Sequence, residues 1–277
     1  MNKRMSKIYS IILTLILTMS LVACGKSSTQ TSTSSNSEKK TLKLGCLAYS
    51  QPMIQWIKDG LEPLGYKVEI VMFDANQLPA TALKDGNLDG IIANHKPWIE
   101  TFNREQKCNL VMVEPYLCYG FFGIYSAKYK TLDSLPQNAK IVVSNDPTNM
   151  DRSLIILKDA GLLTLKEKTG NFYTIMDIKD NPKKIQFVEA EITQTARSIA
   201  DVDAAVTTAF YVSSTSKVDP NSYLFEDKQN KNYPLGLIVE SKDANAQWTK
   251  DAMKVLKSAE GEKKFNDQYQ GKYKFYK

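Results

Sequence analysis

Hydrophobic and polar positions along this 277-residue chain follow two alternating periods. Short apolar runs such as residues 67–73 and 140–144 predict β-strands. Longer segments with an apolar residue every three or four positions, such as 52–60 and 148–160, predict helices. Strands and helices follow one another in turn, which is typical of an α/β protein with parallel sheets.

The same pattern predicts elements over most of the remaining chain. Further strands are expected at residues 42–46, 88–93, 109–114, 121–125, 185–188, 204–207 and 235–239. Further helices are expected at residues 77–84, 97–106, 192–199 and 245–269. The alternation restarts at the strand 140–144, so we expect two α/β units joined by crossing strands, with a ligand site in the cleft between them.

The first 24 residues have the three-part layout of a secretory signal. A basic start within residues 3–7 is followed by a mostly apolar run over 8–19, and Ala23 stands before Cys24. The apolar run is shorter than the roughly 20 residues that a bilayer span needs. A cysteine at the cleavage point is typical of bacterial lipoproteins, in which the thiol receives a diacylglyceryl group. The alternatives are an ordinary signal peptide with an accidental cysteine, or an uncleaved anchor.

We therefore predict a signal peptide over residues 1–23 and lipidation of Cys24, with acyl chains such as palmitate. Residues 25–40 contain no large apolar side chain, so they cannot bury enough surface to offset the entropy of ordering. We therefore predict that residues 24–40 form a flexible linker. The expected location is the extracytoplasmic face of the cell membrane, with the lipid as the only anchor.

Composition and charge limit the possible function classes. Hydrophobic residues make up 43% of the chain and charged residues 24%, which is ordinary for a globular protein. The net charge is +6, and the predicted leader contains three of the positive charges and no acid, which leaves about +3. That charge is too small and too scattered to indicate a nucleic-acid partner.

The cysteine and histidine content argues against a metal site. Cys46, Cys108 and Cys118 have no CxxC spacing and lie in apolar, strand-like settings. Buried thiols are favoured over a disulfide there, although one pair could bridge. With a single histidine in the chain, a zinc site of the usual type is not expected, and we predict no cofactor.

Residues 145–152 (NDPTNMDR) are the most distinctive candidate site. Asp146 can cap a helix and Pro147 suits its first position. The helix would then begin at the C-terminal end of the strand 140–144, where open α/β sheets bind ligands. Its free N–H groups and dipole favour an anion, and Arg152 could grip a carboxylate with two hydrogen bonds. The alternative is a structural cap, with Arg152 in a surface ion pair.

A second candidate site follows the strand 88–93. His95 and Trp98 stand at the C-terminal end of this strand, where they could line a ligand cleft. Alternatively, His95 is a structural histidine with satisfied hydrogen bonds and Trp98 is a core residue at the start of a helix.

Several motifs together resemble those of the NlpA/MetQ lipoprotein family, the methionine-binding proteins of ABC importers. The matching stretches are GNLD at 86–89, HKPWIE at 95–100, GIYS at 123–126, YKTLDSLP at 129–136, NDPTN at 145–149 with Arg152, and DVDAAV at 201–206. The resemblance covers nearly all of residues 42–265.

The resemblance implies the two-lobed fold of type II periplasmic-binding proteins. We expect the first lobe to take residues 42–125 and 226–277 and the second to take 126–225. It also implies a non-enzymatic solute-binding lipoprotein with two partners, an amino-acid-like small molecule and an ABC transporter permease. An enzyme is the second hypothesis, against which stands the absence of GxSxG, HExxH and glycine-rich phosphate motifs. A surface adhesin or accessory protein on the same scaffold is the third.

The family's site residues carry over unevenly. The resemblance implies that Asn149 and Arg152 hold the ligand carboxylate and that His95 lines the cleft. Trp98 stands where a tyrosine is usual, and Asn76 falls where a cleft tyrosine is expected.

Other pocket positions differ from the family pattern. Thr208 and Leu235 fall where asparagines are expected, and Ala93 replaces an aromatic residue. Tyr49-Ser50-Gln51-Pro52 occupies the loop that usually contains a Pro-His pair. The side chains that could refill the pocket are Phe210, Tyr119 and Phe122. The resemblance therefore implies a retained carboxylate grip with an altered side-chain pocket, and a dipeptide or another organic acid is the alternative ligand to methionine.

Overall fold

The computed structural model describes residues 40–277. The predicted signal peptide, Cys24 and the predicted linker up to residue 39 lie outside the described residues. Within the described part, none of the helices has the length and apolar character needed to cross a membrane.

The strands are numbered in chain order. They are β1 (Thr41–Cys46), β2 (Lys67–Met72), β3 (Gly90–Ile92), β4 (Leu110–Met112), β5 (Cys118–Gly120), β6 (Phe122–Tyr125), β7 (Lys140–Ser144), β8 (Thr164–Leu165), β9 (Ile178–Asp180), β10 (Gln186–Ala190), β11 (Ala204–Thr208), β12 (Phe225–Glu226), β13 (Pro234–Leu235), β14 (Ile238–Glu240) and β15 (Tyr273–Phe275).

Helices separate many of these strands. The α-helices are α1 (Gln51–Leu61), α2 (Leu78–Lys84), α3 (Lys96–Gln106), α4 (Pro147–Asp159), α5 (Ala209–Thr215), α6 (Gln247–Leu256) and α7 (Ala259–Tyr269). The 3₁₀ helices are Ala48–Ser50, Glu62–Leu64, Ile175–Asp177, Ile192–Ala200, Asn230–Asn232 and Ser241–Asp243.

The first lobe is built on a five-stranded sheet with the order β2-β1-β3-β14-β4. β1 is parallel to β2 and β3, whereas β14 is antiparallel to β3 and β4. Helix α1 packs on β1 and β2 and against α6. Its buried positions, Met53, Ile54, Ile57 and Leu61, lie on one face at helical spacing.

The second lobe is built on a five-stranded sheet with the order β10-β7-β11-β6-β12. β7 is parallel to β10 and β11, and β6 is antiparallel to β11 and β12. Helix α4 packs on β7, and the 3₁₀ helix Ile192–Ala200 packs on β11 and α5. The side chains of Ile141, Val142, Val143, Ala204, Ala205 and Val206 are fully buried, as expected for central parallel strands covered on both faces.

The described residues also form two small sheets. β5 lies between β13 and β15, and β8 pairs with β9. β5, β6, β12 and β13 belong to the two crossings between the lobes, because β5 and β13 pair with each other while β6 and β12 pair in the second sheet.

Most predicted strands and helices are confirmed, but two predicted elements are wrong. The expected strand 235–239 is two strands, because Leu235 pairs with Cys118 whereas Ile238 pairs with Ile91 in another sheet. The expected helix 245–269 is α6 and α7. Ser258 breaks it by capping α7, where its hydroxyl accepts the Gly261 N–H at 2.9 Å.

The predicted helix 192–199 is present as the 3₁₀ helix Ile192–Ala200. Helix α5 and the strands β5, β8, β9, β12 and β15 were not predicted, since each is short and lacks a repeating apolar pattern. The predicted lobe boundary at residue 125 places β6 in the first lobe. Strand pairing instead puts the crossings at residue 121 and between residues 226 and 234, because β6 and β12 both belong to the second sheet.

Candidate functional site

A cavity lies where the strand ends of the two large sheets face each other. The empty space of this cavity, including the part open to solvent, is about 540 Å³. Its lining residues are Tyr49, Asn76, Ala93, Asn94, His95, Trp98, Gly120, Phe122, Asn149, Arg152, Ile192, Thr208, Tyr211, Tyr233, Leu235 and Tyr273.

The chain path explains why polar side chains meet here. β3 ends just before Asn94 and His95, and β7 ends just before the cap of α4. β11 ends at Thr208, which caps α5. Because parallel strands end at the same edge of a sheet, three loops deliver their side chains to one cleft.

Arg152 is buried one turn into α4, with 5% of its surface exposed. Its Nε and Nη2 atoms each lie 2.7 Å from Oδ2 of Asp227, and Nη2 also donates to Asn230 at 2.8 Å. The guanidinium lies between the rings of Phe122 and Tyr233, 4.4 Å and 3.7 Å from their centroids. These bonds use Nε and Nη2, so Nη1 is the nitrogen from which Arg152 can donate to a ligand.

The start of α4 is held by the predicted cap. Asp146 accepts the backbone N–H of Asn149 at 3.0 Å and its side-chain Nδ2 at 2.9 Å, which confirms the capping role. Oδ1 of Asn149 lies 3.1 Å from Nε2 of His95, on the other lobe. The site is therefore joined across the cleft by a hydrogen bond between the two predicted residues.

His95 caps α3, where its Nδ1 accepts the Trp98 N–H at 3.2 Å. Since Nδ1 is an acceptor, Nε2 carries the proton and donates to Asn149. Burial and, secondly, the nearby charge of Arg152 lower the pKa of His95 to about 4, against the hydrogen bond to Asn149, which raises it. The ring is therefore neutral near pH 7.

The neutral His95 makes folding stability depend on pH. Because the pKa is lowered in the folded state, the unfolded chain binds more protons between the unfolded value near 6.5 and about pH 4. We expect the contribution of His95 to be fully present above pH 6.5 and to fall by roughly 1–3 kcal/mol as the pH drops towards 4.

Urea unfolding of the wild type and of His95→Gln at pH 5.0 and 7.0 checks this expectation. The wild type should lose more stability than the variant between the two values, because glutamine does not titrate. Equal losses in both proteins would show that His95 takes no part in the acid destabilisation.

Two further hydrogen bonds join the lobes at the edge of the cavity. Oε1 of Glu191 accepts the Asn76 backbone N–H at 2.7 Å, and the Thr193 hydroxyl lies 3.0 Å from the Asp74 carbonyl. Glu191 also caps the helix Ile192–Ala200, since Oε2 accepts the Thr193 N–H at 2.6 Å. Asp74 and Asn76 follow β2 in the first lobe, so the cap of a second-lobe helix also holds a first-lobe loop.

The structure brings six of the seven predicted ligand residues to this cavity. Arg152, Asn149, His95, Trp98, Asn76 and Thr208 line it. Phe210 lies behind the wall, where its ring packs against Tyr49, Tyr211 and Tyr273 with centroids about 6 Å apart. A ligand role for the lining residues stays a prediction.

Sequence reasoning missed several residues of the site. Asp227 and Asn230, the partners of Arg152, come from the return crossing, as does Tyr233, and Tyr273 comes from the last strand, β15. Nothing in the local sequence marks these residues, because they reach the cavity only through the crossing of the chain. The sequence did give a signal for Tyr49, because this residue lies in the loop where the Pro-His pair usual in the family is absent.

The three cysteines in the described part of the chain are free thiols, and burial raises the pKa of Cys46 to about 11. Across residues 40–277, no group of three or more His, Cys, Asp or Glu side chains is placed to hold a metal ion.

The sequence and the fold both match known lipoproteins. A model of the NlpA lipoprotein family matches residues 42–275. The chain is 30% identical over 268 residues to the D-methionine-binding lipoprotein MetQ of Escherichia coli O157:H7, covering 95% of this chain and 91% of the relative. It is 32% identical over 230 residues to lipoprotein 28 of the same organism, covering 82% and 84% of the two chains.

Among solved structures, the fold is similar to that of a nutrient-binding protein from Burkholderia cenocepacia bound to methionine. The TM-score is 0.79 and the identity 29%, with 85% of this chain and 100% of that chain covered. The predicted α/β architecture with two lobes is confirmed by this likeness and by the two sheets.

Proposed function

Because this chain belongs to the NlpA lipoprotein family, we propose that it is the solute-binding lipoprotein of an ABC importer and that it captures a small carboxylate-bearing ligand. It is a substrate-binding protein and not an enzyme. The ligand that we propose is methionine or a related amino acid, the class that the MetQ relative and the Burkholderia structure indicate.

The observation that supports this function most strongly is the buried Arg152 in an otherwise largely neutral cleft. A guanidinium at the start of a helix favours an anion, and its pairing with Asp227 and stacking on Tyr233 fix its direction. The aromatic and aliphatic lining, which includes Trp98, Phe122 and Ile192, suits an apolar side chain beside the carboxylate.

A ligand screen tests the proposal. Purified protein is titrated by calorimetry with L-methionine, D-methionine, other apolar amino acids, dipeptides and simple carboxylates. Saturable binding of an amino acid at micromolar concentration or below supports the proposed function. Binding of none of these compounds would contradict it and would favour an adhesin or accessory role.

The permease partner and the lipid anchor belong to the same proposal. We expect the protein to be tethered outside the membrane by acyl chains on Cys24, because a basic start, an apolar run and a small residue precede this cysteine. The permease would then meet a receptor that is confined to its own membrane surface.

We expect Cys24→Ala to abolish incorporation of a clickable palmitate analogue and to release the protein from the membrane fraction or leave its leader uncleaved. In-gel fluorescence after metabolic labelling measures the incorporation, and Cys108→Ala is the matched control that should label like the wild type. Unchanged labelling of Cys24→Ala would show that the lipid is attached elsewhere.

A further inference from the structure

One polar atom of the cavity has no partner in the described part of the protein. Asn94 is 3% exposed and lines the cavity, and its Oδ1 is buried without a hydrogen-bond donor among residues 40–277. The Tyr49 hydroxyl, also in the lining, shares this property. A hydroxyl can donate or accept, but an amide oxygen only accepts, so Asn94 is the group that specifies the chemistry of a ligand.

The orientation of the Asn94 side chain is fixed by its other end. Its Nδ2 donates to the Asn76 carbonyl at 2.8 Å. Exchanging the amide oxygen and nitrogen would set two oxygens against each other, so Oδ1 must be the unpartnered atom. The backbone of Asn76 is also held by the hydrogen bond that its N–H donates to Oε1 of Glu191.

An unpartnered acceptor that faces a cavity is placed to take a hydrogen bond from a donor group of a ligand. A buried polar atom that loses water without gaining a partner is destabilising. The described residues that line the cavity include no Asp or Glu, so a positively charged ligand group has only neutral oxygens to meet it. The amide oxygen of Asn149 is already paired with His95, and Leu235 offers no polar side-chain atom.

We propose that Oδ1 of Asn94 accepts a hydrogen bond from the ammonium group of an amino-acid ligand whose carboxylate lies at Arg152. This inference rests on the proposed function and deepens it, since it requires a zwitterion and not any small carboxylate. Asn94 is then a specificity-determining residue.

Matched ligand pairs test the inference. Each pair is an amino acid and the same acid without its amino group: L-methionine with 4-(methylthio)butanoate, L-leucine with 4-methylpentanoate, and L-phenylalanine with 3-phenylpropanoate. The readout is the affinity ratio within a pair, measured by calorimetry. We expect the wild type to prefer the amino acid of the best-binding pair by about 10- to 100-fold, the effect of one charge-assisted hydrogen bond in a buried site.

Two substitutions at Asn94 should move this ratio in opposite directions. Asn94→Leu, which removes the acceptor at similar volume, should lower the ratio towards 1, because the lost acceptor weakens the amino acid only, whereas the lost hydrogen bond to the Asn76 carbonyl affects both members of a pair. Asn94→Asp, which keeps an acceptor and adds negative charge, should raise the ratio above that of the wild type. Its second oxygen faces the Asn76 carbonyl in place of the Nδ2 donor, which weakens both members of a pair and leaves the ratio to report the added charge. The ratio is insensitive to general damage, because damage to the site weakens both members of a pair.

The outcomes separate this inference from the proposed function. A wild type that binds both members of a pair equally, or an Asn94→Leu protein with an unchanged ratio, would overturn the role of Asn94 while the carboxylate-binding function stands. A wild type that binds no member of any pair would overturn this inference, and binding of none of the compounds in the wider ligand screen would contradict the proposed function as well.

Discussion

Replacing Arg152 by Gln is expected to reduce ligand affinity by roughly 30-fold to several thousand-fold. A buried, hydrogen-bonded charge pair with the ligand carboxylate is worth about 2–5 kcal/mol, which corresponds to that range. The same substitution should lower the free energy of unfolding by about 3–5 kcal/mol, because it leaves the buried carboxylate of Asp227 without its cation.

The double variant Arg152→Gln/Asp227→Asn separates these two effects. With both charges removed, the two introduced side chains are neutral amides that can bond to each other, so most of the lost stability should return. Ligand binding should not return, since no cation is left to meet the carboxylate. Calorimetry and urea unfolding of the wild type and both variants give the two quantities, and restored binding in the double variant would refute the carboxylate grip.

Gly123→Ala is expected to destabilise the protein by about 1–3 kcal/mol or more, the cost of forcing atoms into a packed site. An added Cβ at Gly123 would lie 2.5 Å from the backbone carbonyl oxygen of Phe225, so it would push β12 away from β6. The strand pair also positions the partners of Arg152. The Asp227 N–H donates to the Phe122 carbonyl at 2.9 Å, and Asn230 accepts the Phe122 N–H at 3.0 Å.

Urea unfolding of Gly123→Ala measures this loss, and we expect ligand affinity to fall with it. Gly170→Ala is the matched control, because the nearest atom to its added Cβ is 3.9 Å away and its backbone suits alanine. The control should be neutral or slightly stabilised by the reduced freedom of the unfolded chain. Equal stability of the two variants would show that β12 can move away from β6 without loss of stability.

Local patterns determined the elements and the ends of the strands. The alternation of residues 67–73 and the apolar run of 140–144 each gave a strand, since both signals depend on neighbours within a few positions. The cap of α4 was equally visible, because Asp146 and Pro147 act on backbone groups of their own turn. Residues 235–239 show where local patterns fail, because this single apolar run contributes strands to two different sheets.

The sequence by itself determined that Arg152, Asn149 and His95 stand at strand ends, and it marked the leader before Cys24. Only the tertiary structure decided which groups surround the site. Asp227 pairs with Arg152, Glu191 accepts the backbone N–H of Asn76, and the side-chain oxygen of Asn94 faces the cavity without a partner among residues 40–277. The physical reason is distance along the chain. Hydrogen bonds between residues 75 or 115 positions apart leave no periodic signal, and they form only when two separate sheets fold and close on one cleft.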